Sequence, residues 1–211
     1  MPALTMPAAR DLRLISLLTA RLCHELVTPI TAIGNGAELI VEGDADFARE
    51  ATALVADSAR RAASRLQFYR FAYGFGGGDL APGLAPGDLA IGFFEASGIA
   101  VSYPAAVRQL PLEWQKLACN LLLLGREGLP RGGALSLEKD AAGPHLQAIG
   151  DSAALAADFQ TALALEAPTQ ALTVRTAQAC FTGLLARSLG CRLKATAAQT
   201  GGFRLGLAAA A

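Results

Sequence analysis

Three neighbouring side chains have the chemistry needed to transfer a phosphoryl group. His24, Glu25 and Thr28 lie within one stretch of helical spacing. An imidazole is largely uncharged near neutral pH, so its unprotonated ring nitrogen can act as a nucleophile without a metal. Glu25 could accept a hydrogen bond from the other ring nitrogen and stabilise the cation formed on phosphorylation. On spacing alone, an ordinary surface histidine remains the alternative interpretation.

Two long helices must position these side chains. Apolar residues from Ala9 to Glu42 recur at helical intervals, and a second such pattern runs from Phe47 to Phe71 after a break at Gly43-Asp44. His24 falls nearly opposite the apolar seam, so we expect it to face water, with Thr28 one turn further on the same face. Pro29 should bend the helix just beyond the site. The seam is formed by Ile15, Leu18, Leu22, Leu26, Ile33, Ala37 and Ile40.

One helical hairpin cannot cover this seam by itself, which predicts a homodimer built around a four-helix bundle. Residues 1–73 would form this dimerisation and phosphotransfer unit. Residues 74–88 are rich in Gly and Pro and predict a linker. Residues 89–211 predict an α/β domain, with strands at 99–103, 133–138, 145–149, 191–195 and 202–207 and helices at 112–127, 158–166 and 172–189. The expected fold class is therefore α+β.

Composition excludes several classes of function. Lys and Arg together number 18, as do Asp and Glu, so the net charge of zero offers no attraction for nucleic acid or anionic lipid. No stretch is long and apolar enough for a membrane span, and the N-terminus lacks the features of a secretory signal. The four cysteines have no metal-site spacing and are expected to be reduced thiols. We therefore expect a cytoplasmic protein that binds neither nucleic acid nor membrane.

A family resemblance sharpens the interpretation of His24. The segment His24–Ile33 resembles the phosphoacceptor box of sensor histidine kinases. Together with Asp57–Gly74, Lys116–Leu121 and Pro130–Gly133, it resembles the ChpT-type histidine phosphotransferases over most of the chain. The resemblance implies a dimeric four-helix bundle beside a degenerate domain similar to a histidine-kinase catalytic domain. It also implies a phosphorelay in which His24 shuttles phosphoryl groups between the aspartates of response-regulator receiver domains, which supply the magnesium.

The same resemblance predicts that the second domain does not bind ATP. Leu124 stands where kinases place the magnesium-binding asparagine, and an apolar side chain cannot ligate a hard cation. Asp151 lacks the glycines that follow it in kinases, and Thr182-Gly183 retains only one glycine of the lid. We expect Asn120 to be a capping or packing residue and Asp151 a helix N-cap. Because Glu25 and Thr28 match true kinases, an ATP-dependent histidine kinase remains an alternative, as does a noncatalytic scaffold that binds receivers.

Four arginines of the second helix and the second histidine, His145, could each have either a functional or a purely structural role. Four arginines on the second helix could contact a phosphorylated partner, although interleaved carboxylates make an ordinary solvated helix face the simpler interpretation. These arginines are Arg60, Arg61, Arg65 and Arg70. His145, in a predicted strand after Pro144, is expected to be structural rather than catalytic.

Overall fold

The computed structural model describes residues 6–42, 45–74, 83–95, 97–198 and 201–208. The predicted break at Gly43-Asp44 and most of the predicted linker lie outside these residues. Among the helices of the described segments, none combines the length and hydropathy that crossing a membrane requires.

The N-terminal part is a hairpin of two long helices. Helix α1 spans Met6–Glu42 and continues through Pro29, and α2 spans Ala45–Tyr73. The two helices approach closely at Gly36, where an added Cβ would lie 2.6 Å from Cγ2 of Val55. Ala51, which is 4% exposed, packs in the same region. Small residues thus let the two backbones come together beyond the histidine.

The C-terminal part combines helices with a mixed five-stranded sheet. Its helices are α3 (Pro86–Phe94), α4 (Ala105–Arg108), α5 (Leu112–Glu127), α6 (Ala157–Leu163) and α7 (Ala177–Ser188), with a 3₁₀ turn at Thr169–Ala171. Its strands are β1 (Ile99–Ser102), β2 (Gly133–Lys139), β3 (Pro144–Ile149), β4 (Arg192–Ala197) and β5 (Phe203–Ala208). The strand order is β1-β2-β3-β5-β4; β1 pairs with β2 in parallel and the other pairs are antiparallel. The α+β prediction is confirmed.

The core of this part lies between one face of the sheet and helix α5. Strand register places Leu135 opposite Ala148 and Leu146 opposite Leu205, and all four are buried. Because alternate strand residues share a face, these pairs form one apolar layer. Gly125 of α5 packs onto that layer, since an added Cβ would lie 2.4 Å from Leu146 and 2.8 Å from Leu135. Helix α5 is therefore fixed on the sheet, and its last turn extends toward the hairpin.

The structure corrects several local predictions. The last residues of the predicted linker, Pro86–Asp88, form the first turn of α3, because proline is well tolerated at the start of a helix. The helix predicted from Leu172 begins only at Ala177. Before it, Thr173 and Thr176 exchange backbone-to-hydroxyl hydrogen bonds of 2.9 and 3.2 Å, which hold a turn instead of a helix. Helices α3 and α4 were not predicted from the sequence.

Candidate functional site

His24 lies on an exposed face of α1, as the helical spacing predicts. Within the described part of the chain, no side chain or backbone group hydrogen-bonds its imidazole. Thr28 is also exposed, one turn further along the helix. The ring is therefore accessible to a partner protein and not engaged in an internal catalytic pair.

Glu25 points the other way, into the molecule, and its side chain is 12% exposed. One carboxylate oxygen accepts a hydrogen bond of 2.8 Å from Arg126, at the end of α5. The other lies 3.4 Å from Arg65 of α2, which also donates a 2.8 Å hydrogen bond to the backbone carbonyl of Glu25. The expected hydrogen bond between Glu25 and the imidazole of His24 is therefore not formed, because two guanidinium groups hold the carboxylate elsewhere.

A second ion pair joins the same two helices one turn earlier. Arg21 of α1 donates a hydrogen bond of 2.5 Å to Glu127, and the two side chains are 7% and 14% exposed. Burial is the largest single influence and disfavours the charge on Arg21, but the attraction and hydrogen bond of Glu127, together with Tyr73 and Tyr69, outweigh it and raise the pKa of Arg21 above its ordinary value. Tyr69 lies nearby, and burial raises its pKa to about 12. The turn of α1 that ends at His24 is thus tied to α5.

The N-terminal turns of α1 also contact the C-terminal part. Arg13 donates hydrogen bonds of 2.8 and 3.4 Å to the carbonyls of Leu172 and Gln170. Arg10 lies 3.5 Å from the carbonyl oxygen of Leu165. These carbonyls belong to the connection between α6 and α7, so α1 covers that connection.

Leu124 and Asn120, which were compared with the nucleotide-binding motifs of histidine kinases, both lie in the core. Leu124 is fully buried in the core. Asn120 is also fully buried and donates to the carbonyls of Ala72 (2.8 Å) and Lys116 (2.9 Å), while its own carbonyl oxygen accepts from Gln178 (3.0 Å). Asn120 is thus a packing residue, as expected from the sequence.

Asp151 and Gly183 are the other two residues that were compared with the nucleotide-binding motifs of histidine kinases. Asp151 is exposed in a turn and pairs with Arg131, while α6 begins six residues later, so the predicted helix N-cap is wrong. Gly183 packs against the end of α6, where an added Cβ would lie 2.2 Å from the Leu163 carbonyl oxygen. The glycine compared with the kinase lid thus serves helix packing.

The arginines of α2 have different surroundings. Arg60 and Arg61 both pair with Asp57, at 3.3 and 2.6 Å, and remain largely exposed. Arg65 faces inward to Glu25, and Arg70 is exposed. Arg60, Arg61 and Arg65 line a polar cleft of about 770 Å³ between α2 and the C-terminal part. The helical periodicity of the sequence did not predict that Arg65 faces inward while the other three arginines face solvent.

His145 lies between two carboxylates and has a structural role, as expected from the sequence. Its side chain is 7% exposed and lies between Glu138 (3.0 Å) and Asp140 (3.4 Å) on the β2–β3 hairpin. Asp140 also accepts hydrogen bonds from the backbone of Ala142 and Gly143, which lower its pKa. This cluster stabilises the hairpin turn.

Comparison with known proteins identifies the family. Residues 88–201, more than half of the chain, match the family described as the histidine phosphotransferase C-terminal domain. The chain belongs to the histidine phosphotransferase family. It is 39% identical to the protein phosphotransferase ChpT of Brucella abortus (strain 2308) over 125 residues, which are 58% of this chain and 58% of that relative. The alignment therefore spans little more than half of that relative's length.

A solved structure extends the similarity to the hairpin. The structure described as a bacterial phosphotransferase is 30% identical and superposes with a TM-score of 0.72, covering 98% of both chains. The histidine phosphotransferase family match itself begins at Asp88 and therefore includes Asn120, Leu124 and Asp151 but not His24. The hairpin that carries His24 is thus covered by the structural similarity but not by the family model.

Proposed function

We propose that this chain is a phosphorelay phosphotransferase whose phosphoryl carrier is His24. The histidine would accept a phosphoryl group from the phosphoaspartate of one response-regulator receiver domain and pass it to the aspartate of another. The observation that carries this proposal is an exposed imidazole on the hairpin of a histidine phosphotransferase family member, with no hydrogen-bond partner among the residues that the structure describes. Thr28 is proposed to contribute to the same face of the site.

The proposed transfer needs little from the carrier itself. The lone pair of the unprotonated ring nitrogen attacks phosphorus as the bond from phosphorus to the aspartate oxygen breaks, and the aspartate leaves as a carboxylate. The imidazole ring becomes a cation that retains its proton on the other nitrogen. Passing the group on reverses these bond changes. Catalysis of this kind depends mainly on positioning and on electrostatic stabilisation.

We also propose that the protein acts as a homodimer through its hairpins. Large apolar side chains remain exposed along α1, at Leu12 (56%), Ile15 (62%), Val27 (60%) and Ile30 (56%). Leu54 and Leu66 of α2 are similarly exposed. Leu18, Leu22, Leu26 and Ile33 of the predicted seam are already half-buried within the chain. A second hairpin would cover the remaining stripe, since exposed apolar patches of this extent are typical of interfaces.

The proposal includes no step that uses ATP. It is supported by the full burial of Leu124, by the hydrogen bonds that occupy Asn120, and by the contacts of α1 with the α6–α7 connection. We also propose a cytoplasmic location, and the four free cysteines agree with it.

The test is transfer from phosphorylated receiver domains of the same organism, with His24→Gln as the variant. Wild-type protein should gain phosphate that is labile in acid and stable in base, and His24→Gln should gain none. The matched control is His145→Gln, which removes the other histidine of the chain and should still be labelled. Labelling of His24→Gln would place the acceptor elsewhere, and labelling of wild-type protein by Mg-ATP alone would favour the kinase alternative. Binding of receivers without any labelling would favour the scaffold.

A further inference from the structure

Four charged residues bring α1 and α5 together beside the phosphoacceptor turn. Arg21 pairs with Glu127 at 2.5 Å, and Glu25 pairs with Arg126 at 2.8 Å. We call these four residues the clamp. On α1 they are one helical turn apart and lie on either side of His24 in the sequence; on α5 they are consecutive. The C-terminal part therefore touches the hairpin beside the residue that carries the proposed chemistry.

The clamp is largely protected from solvent. Exposed fractions are 7% for Arg21, 14% for Glu127, 12% for Glu25 and 28% for Arg126. Screening by water and salt is weak for such pairs. Removing Arg21 would leave Glu127 without its ion-pair partner, which is costly at this burial. The clamp is thus a strong restraint, unlike the exposed pair between Arg49 and Asp46 on α2.

The order of charges also fixes the register of the two helices. Along α1 the clamp has a positive and then a negative group, which meet a negative and a positive group on α5. Sliding α1 by one turn would bring Glu25 opposite Glu127, which like-charge repulsion opposes. The pairing therefore specifies one relative position of α1 and α5.

Neighbouring elements hold the clamp residues in place. Arg65 of α2 contacts both the carboxylate and the backbone carbonyl of Glu25. The guanidinium of Arg126 lies over the ring of Phe93 in α3, 5.8 Å from its centre. Glu25 is thus held directly from α2 and α5, and α3 packs against its partner Arg126.

We infer that Arg126 and Glu127 are positioning residues for transfer at His24. The inference rests on the proposed function. Neither residue is placed to react; each acts through its partner on α1, so that the C-terminal part is held at a fixed position beside the histidine. Arg126 and Arg65 also line the polar cleft between α2 and the C-terminal part, whereas Glu127 does not and acts only through Arg21. A receiver that docks at His24 and in this cleft would contact two surfaces whose relative position is set by the clamp.

The test separates docking from the chemistry of the histidine. We expect Arg126→Ala and Glu127→Gln each to raise the KM for a phosphorylated receiver roughly tenfold, with a smaller change in kcat. Labelling of His24 by the small donor phosphoramidate should stay within about twofold of wild type, since that donor needs no docking surface. Arg126→Lys keeps the charge but loses the two-nitrogen contact with Glu25 and the stacking on Phe93, so it should lower the raised KM only in part. The matched control is Arg204→Ala, which removes an arginine and its exposed pair with Asp140 on the sheet.

Three results would overturn the inference. One is an unchanged receiver KM in both clamp variants. Another is a lowered KM, which would mean that the clamp shields the histidine. The third is an equal loss with phosphoramidate and receiver, which would indicate direct damage to the site or the fold. Failure of wild-type protein to accept phosphate from any receiver, while phosphoramidate labels it, would instead refute the proposed function.

Discussion

The substitution Asn120→Ala tests whether the C-terminal domain uses this asparagine for structure or for a nucleotide. Asn120 is fully buried and joins three elements through its amide group. It donates to Ala72 in the last turn of α2, where helix carbonyls lack partners within the helix, and it accepts from Gln178 of α7. Gln178 in turn accepts a 2.6 Å hydrogen bond from the hydroxyl of Tyr73. The substitution removes the centre of this network.

The expected loss of stability follows from the groups left without partners. A buried polar group that loses its hydrogen bond costs about 1–3 kcal/mol. The Ala72 carbonyl loses its amide donor, whereas the Gln178 amide keeps its 3.1 Å bond to Thr182. A loss of about 1–3 kcal/mol is therefore expected. For a chain of this size it corresponds to a fall in melting temperature of about 2–12 °C.

The assay combines thermal unfolding with transfer at a temperature where the variant is folded. The melting temperature should fall by the stated amount, while the transfer rate at 20 °C should remain within about threefold of wild type. Asn35→Ala is the matched control, because Asn35 is the other asparagine of the chain and lies exposed on α1; its effect should be within about 0.5 kcal/mol. A variant of Asn120 that is as stable as wild type but inactive would refute the structural role.

Two further predictions concern assembly and pH. The pair Ile15→Asp with Ile30→Asp should convert the dimer to a monomer in light scattering, whereas Leu18→Asp should chiefly destabilise the chain; a wild-type monomer would contradict the proposed assembly. Because burial raises the pKa of Tyr69 to about 12, the folded state holds this proton more tightly than the unfolded state. That contribution to stability is present below pH 10 and is lost as the pH rises from about 10 to about 12, so Tyr69→Phe should show a shallower alkaline loss of stability in urea titrations. Equal slopes for the two proteins would refute this assignment.

Local patterns in the sequence are sufficient to predict much of this architecture. The hairpin, the exposure of His24 and both C-terminal β-hairpins follow from periodicities of 3.6 and 2 residues, which depend on neighbours in the chain. The burial of Leu124 agrees with its apolar type. The start of α7 was misplaced because the threonine hydroxyls at 173 and 176 compete locally with helix formation.

The partners of Glu25 could not be predicted in this way. Arg65 and Arg126 are 40 and 101 residues away in the sequence, and no local pattern connects them with the histidine. From the sequence, the nearest available partner of the carboxylate was the adjacent imidazole. The same limitation applies to Asp151, which follows β3, because its partner Arg131 precedes β2 and is 20 residues away in the sequence. Charged residues whose partners come from distant elements were therefore the main source of error at the site.

The most direct test of the account is to follow one phosphoryl group through the protein. A receiver domain carrying radioactive phosphoaspartate is mixed with the protein in the absence of ATP, the donor is removed, and a second receiver is added. The label should first appear on His24, where mass spectrometry identifies it. When the second receiver is added, His24 should lose the label and the second receiver should gain it. Label that reaches the second receiver without passing through His24, or a histidine labelled only when Mg-ATP is present, would contradict the account.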